Sequence, residues 1–118
     1  MIDEDARSLA TAAARIADGA HATEIVVLHV GEVLAVTEYF VIATASNRRL
    51  VNAIVEEVEA ELKVEIDRTP LRVEGVREQQ WVLIDYGDVV VHVFLSEIRD
   101  FYEIERLYTD VPKLDWTA

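Results

Sequence analysis

The stretch LIDYGDVVVHVF, residues 83–94, decides how the rest of the chain is read. Gly87 and Asp88 interrupt two runs rich in β-branched and aromatic residues, and glycine first in a two-residue loop is the type II′ hairpin preference. That turn sets a register: Tyr86 opposite Val89, Ile84 opposite Val91, Val82 opposite Val93. Side chains alternate along a strand, so these six share one face, and all are apolar or aromatic, as a core face requires. The other face carries Trp81 opposite Phe94, Leu83 opposite His92 and Asp85 opposite Val90. It mixes large aromatics with a carboxylate and an imidazole, groups that are costly to bury unpaired. A half-exposed face with aromatic anchors and a few polar groups is the make-up of a protein-binding surface.

Working outward, TEIVVLHV (residues 23–30) and EYFVIATA (residues 38–45) read as strands, nearly all apolar and suited to cover on both faces. Residues 3–18 are alanine-rich with Leu9, Ala13 and Ile16 at helical spacing, and Gly19 stops that helix. Residues 46–63 place Leu50, Val51, Ile54, Val55, Val58 and Leu62 on one helical stripe, with Ser46 or Asn47 as cap. Pro70 opens a short alternating segment that reads as an edge strand, since proline cannot donate to a ladder. A short helix is expected over residues 97–108, then a tail after Pro112. A long helical crossover implies parallel pairing and the hairpins add antiparallel pairs. The predicted fold is α/β (α+β): a mixed five-stranded sheet with helices packed on it. One domain spanning residues 1–118 is expected, with an ordered core over about 3–112, since 118 residues bury one sizeable core but not two.

Composition narrows the function classes. Hydrophobic residues make up 52% of the chain, which predicts a packed globule and not a disordered one. No apolar run approaches the roughly 20 residues that span a bilayer, and the acidic start MIDEDARSLA has no signal-like apolar stretch. The absence of cysteine excludes disulfides and thiolate metal sites and fits a reducing compartment; bacterial cytoplasm is the expectation. With 23 acidic against 11 basic side chains, the net charge is −12. Nucleic acid and anionic membranes repel such a surface, whereas a basic protein is steered towards it.

Two clusters invite a chemical reading. Asp85 and Asp88 could chelate a metal or divide acid and base roles, with His92 as proton shuttle. Against this, the register points Asp85 from a strand and leaves Asp88 in the turn, where aspartate is favoured anyway. His92 would then be satisfied by Asp85, its diagonal neighbour. No metal-ligand spacing, P-loop, dinucleotide fingerprint or nucleophile elbow is present, so no metal or cofactor is expected. The second cluster is Arg48 and Arg49 at a helix start whose later half carries Glu56, Glu57, Glu59 and Glu61, an order that opposes the helix dipole. Either they pair with local acids or they face an anion.

Four stretches together resemble the ribosomal silencing factor (Iojap-related) family: TEYFVIATASNRRLV (37–51), VEG (73–75), WVLIDYGDVVVHVF (81–94) and RDFYEIERLYTDVP (99–112). The resemblance implies a nucleotidyltransferase-like fold used without enzymatic chemistry. It implies binding to the large ribosomal subunit, through a basic ribosomal protein on the subunit-joining face, which blocks the small subunit and represses translation. It also leans towards a homodimer when the protein is free. The partner-binding residues it implies are Trp81 as anchor, Tyr86, Asp88 as charge partner, and Asp85; Arg49, Tyr102 and Glu105 match family positions and read as structural. The hairpin register puts Trp81 and Tyr86 on opposite faces, so Tyr86 must reach a partner from the strand end or across a bulge. His29, Ala45 and Gln80 depart from the family pattern. The competing class is a catalytic or nucleotide-binding module of the same fold, using Asp85, Asp88 and Arg49.

Overall fold

The computed structural model describes residues 2–117, with side chains from Asp5 onward; Met1 and Ala118, the ends of the expected domain, lie outside the described residues. The elements run α1 (Ile2–Gly19), β1 (Thr23–His29), β2 (Tyr39–Ala45), α2 (Arg48–Ile66), β3 (Arg72–Glu74), β4 (Trp81–Asp85), β5 (Val89–Leu95) and α3 (Ser96–Tyr102), followed by a 3-10 turn over Ile104–Tyr108. The five strands form one sheet in the order β1-β2-β5-β4-β3. β2 and β5 pair in parallel at its centre, and every other pair is antiparallel. The mixed α/β sheet expected from the sequence is therefore the fold.

Hairpin register is as the turn dictates: Trp81 lies opposite Phe94, Leu83 opposite His92 and Asp85 opposite Val90. The Tyr86 N–H donates to the Val89 carbonyl at 2.9 Å, and Gly87 takes the positive φ of +92° that the turn requires. Alternation then sorts the residues. Val82, Ile84, Tyr86, Val89, Val91 and Val93 join Val41 and Ala43 of β2 beneath α1 and α2, where the main core sits. Leu28, Ile42 and Phe94 face the opposite side, where Ile98, Ile104, Tyr108 and Val111 give partial cover.

α2 starts two residues into its expected span because Asn47, not Ser46, is the cap: its Oδ1 accepts from the Leu50 N–H at 2.8 Å. It runs on to Ile66 and ends where Asp67 adopts the left-handed conformation at φ +56°. The helix expected over residues 97–108 is broken. Glu103 turns left-handed at φ +45°, its N–H donating to the Arg99 carbonyl, and the chain re-enters as the 3-10 turn. This break carries Glu105 back to Arg99. The chain beyond residue 112 is not a loose tail: Leu114 donates its N–H to the Val27 carbonyl, and the Trp116 indole donates to the Ile25 carbonyl. The outer edge of β1 is thereby paired, which removes an open template for strand addition.

Candidate functional site: the open face of the sheet

α1 and α2 cover one face of the hairpin completely; the other is half open. On the open face Trp81 stacks on Phe94 with ring centroids 4.8 Å apart and leans on Tyr102 at 5.2 Å. Phe40 meets His92 edge-on at 4.5 Å. Trp81 and Tyr102 remain partly exposed, and Phe101 and Leu107 close by in sequence are exposed. The Trp81 indole N–H donates to Nδ1 of His92 at 3.2 Å. That bond fixes the imidazole as the tautomer with its proton on Nε2. His92 is 5% exposed, and burial pushes its pKa down to about 3, so the ring is neutral. The expected partner for His92, Asp85, is engaged elsewhere, because side-chain reach along β4 favours the turn and the neighbouring strand.

The two aspartates do not converge. Asp85 accepts from the Gly87 N–H at 2.8 Å and pairs with Arg72 of β3 at 3.1 Å. Asp88 pairs with Arg68 at 2.8 Å, and the same guanidinium donates to the Tyr86 carbonyl. Each carboxylate is thus neutralised by an arginine that the reversal at Asp67 delivers to the hairpin. Among the described residues no three acidic or histidine side chains gather as a metal site. Tyr86 is 3% exposed on the helix-covered face, its hydroxyl without a partner among the described residues, and no bulge breaks the alternation to bring it out. Burial, then Glu59, push its hydroxyl pKa up to about 12. The Arg68 guanidinium lies 6.0 Å over its ring.

Of the four residues singled out in the sequence, Trp81 and Asp85 therefore share the open face, Asp88 sits at its end in the turn, and Tyr86 lies beneath it. Arg48 and Arg49 are exposed and hold no ion pair among the described residues, so of the two readings the sequence offers, local pairing is not found. The reason is spacing: the positions three and four residues on are Val51, Asn52 and Ala53, none acidic. Arg49 accordingly supports no other side chain. Glu105 does: it accepts from both Nε and Nη2 of Arg99 at 3.0 and 2.8 Å. Arg99 is buried and also donates to Thr44 Oγ1 and the Glu24 carbonyl, tying α3 to β2 and to the bulged start of β1. Sequence reading missed Arg68, Arg72 and Arg99. Only Arg72 had a readable signal, the alternation that sets it opposite Asp85 once β3 is paired.

No helix is long and apolar enough to cross a membrane among the described residues. The family model described as ribosomal silencing factor during starvation matches residues 3–118. A ribosomal silencing factor of Bacillus subtilis is 36% identical over 112 residues, covering 92% of each chain. A mouse protein named for mitochondrial assembly of the ribosomal large subunit is 33% identical over 92 residues, 75% of this chain and 40% of that one. A crystal structure of a Chromobacterium violaceum protein superposes with a TM-score of 0.83 at 31% identity, covering 87% of this chain and 85% of the other. With the family model spanning nearly every residue and the same sheet found in the solved relative, this chain belongs to the ribosomal silencing factor family.

Proposed function

We propose that this protein binds the large ribosomal subunit through a basic ribosomal protein on its subunit-joining face and represses translation by standing where the small subunit must dock. The mechanism is steric occupancy with no chemical step, carried out in the bacterial cytoplasm. The observation that carries it is the open sheet face: a partly exposed tryptophan, locked by its bond to His92, in a partly covered aromatic strip. Aromatic side chains held rigid in such a patch are the usual anchors of protein interfaces. The −12 charge supports a basic protein over RNA as the direct contact.

Within this reading Trp81 is the anchor. Asp85 and Asp88 form an acidic rim whose charge is shared with Arg72 and Arg68, so they orient a cationic partner without supplying a naked charge. Tyr86 contributes from below, as the ring on which Arg68 rests. The free protein forms a homodimer through the Trp81–Tyr102 end of the same face, so self-association competes with docking.

Co-sedimentation with purified large subunits tests this directly. Trp81→Ala is expected to weaken binding by about 30-fold, the loss of an anchor of roughly 2 kcal/mol, while thermal unfolding still shows a cooperative transition. Equal sedimentation of wild type and variant would remove the open face from the mechanism.

A further inference from the structure

β1 ends the sheet on the side away from β4, and its sequence is a poor one for an edge. Ile25, Val26, Val27 and Leu28 are four consecutive apolar residues, with no charge or proline among them to discourage pairing. Their outward backbone groups are taken by residues 112–116. The His29 N–H donates to the Pro112 carbonyl at 2.9 Å, and the Leu114 N–H donates to the Val27 carbonyl at 2.9 Å. The Trp116 indole donates to the Ile25 carbonyl at 3.3 Å. Leu114 and Trp116 pack inward against the main core, while Pro112, Lys113 and Asp115 are exposed. Proline and charge make a strand edge a bad template, so this segment replaces a pairing-prone edge with a guarded one. The ladder does not extend, since Leu28 with Lys113 is an isolated bridge. A short segment with exposed neighbours opens at lower free energy than the core strands beneath it.

We propose that the outer edge of β1 is a latent self-association surface and that residues 112–117 are the strap that holds it closed. With the strap released, β1 pairs antiparallel with β1 of a second copy. The geometry selects that partner. The bonds to the strap show that Ile25 and Val27 present carbonyls outward and that His29 presents its N–H. A two-fold axis at Val27 sets Ile25 of one copy opposite His29 of the other, acceptor against donor, and Val26 opposite Leu28. The stretch from Ile25 to Leu28 is uncharged in both copies, so the −12 carried elsewhere weakens the contact without opposing it at the seam. The homodimer proposed above uses the Trp81–Tyr102 end of the sheet. A second self-complementary contact at β1 would join such dimers into open-ended chains, and the strap prevents this.

The test uses the full chain carrying Leu114→Pro and Trp116→Ala, which together remove both strap donors. Sedimentation velocity over a concentration series should give an average mass about twice that of wild type at the same concentration. The His29 amide, freed from Pro112, should be protected from hydrogen exchange at high concentration and open at low concentration. An unchanged mass in a variant that still unfolds cooperatively overturns the proposal. Assembly in which the His29 amide stays open also overturns it, because the contact then lies elsewhere. Should the double variant not fold, Trp116→Ala alone decides, since it keeps every main-chain bond of the strap. Its Leu114 amide should exchange about tenfold faster than in wild type, and its mass should rise above wild type at the highest concentrations. Faster exchange with an unchanged mass, or an unchanged exchange rate, sinks the idea. Ribosomes take no part in these readouts, so the outcome is separate from the silencing reading.

Discussion

The two faces of one hairpin were built by the same alternation and ended with opposite characters. On the helix-covered face Val82, Ile84, Tyr86, Val89, Val91 and Val93 are all but inaccessible, and α1 and α2 need nothing from them beyond shape and volume. On the open face Trp81, Leu83, Asp85, Val90, His92 and Phe94 combine stacking, an ion pair and a histidine with one nitrogen unpaired. The difference lies in what covers them. Two helices of 18 and 19 residues close the first face, while a seven-residue helix and a 3-10 turn close part of the second. Substitutions on the covered face should therefore read out as stability, and those on the open face mainly as affinity.

The largest effect should come from a matched pair on neighbouring positions of β4. Ile84→Ala opens a cavity in the main core and should cost about 2–5 kcal/mol. Leu83→Ala, half-buried on the open face, should cost about 1 kcal/mol, since part of its surface is already in water. Equal losses would show the open face to be as tightly packed as the covered one. Next comes the residue that holds the partial cover in place. Arg99→Ala leaves the part-exposed Glu105 without its partner and strips the buried Thr44 hydroxyl and the Glu24 carbonyl of a donor, a loss of about 2–3 kcal/mol. Denaturant unfolding measures it. A loss under about 1 kcal/mol would mean that apolar contacts of Ile98 and Ile104 alone hold the cover, and the contrast between the faces would be one of size only.

How much of this was legible in the sequence follows the range of the interactions. Glycine at the turn and a strict two-residue period are local signals, so the hairpin register, the mixed sheet and the two faces could be read from residues 81–94 and their flanks. The ion pairs could not. Arg68 meets Asp88 and Arg99 meets Glu105 only after Asp67 and Glu103 take left-handed conformations that their residue types do not announce. Nor could the pairing of the last residues with β1, which depends on where the 3-10 turn releases the chain. For the site, Trp81 was visible as an aromatic on the mixed face, while Tyr86 was placed by family resemblance and proves to be a core residue in position. The alternation had already set it there.

A smaller effect, and one specific to the open face, is a pH slope. Burial takes His92 from its ordinary 6.5 to about 3, so the unfolded chain binds a proton that the folded chain refuses. The stability this represents is fully present above about pH 6.5 and is lost as pH falls through the interval down to about 3, at most about 1.4 kcal/mol per pH unit. His92→Gln keeps an acceptor for the Trp81 N–H and does not titrate. Denaturant unfolding at pH 7.5, 6 and 5 should give a visibly shallower decline for the variant than for wild type. Parallel declines would place the imidazole in contact with solvent.

The smallest effect belongs to Tyr86, and it tests the comparison most sharply because the residue can be claimed by either face. Its hydroxyl is buried without a partner among the described residues, so Tyr86→Phe removes a desolvated polar atom and nothing else. The phenyl ring still lies under Arg68, and the Arg68 bonds to Asp88 and to the Tyr86 carbonyl do not involve the lost oxygen. Stability should be unchanged or rise by up to about 1 kcal/mol, and co-sedimentation with large subunits should match wild type while Trp81→Ala fails. A loss of binding with stability intact would instead require the tyrosine to leave the core when the partner docks. The hairpin would then have to break its alternation at the strand end, and the division of labour between its two faces would hold only for the free protein.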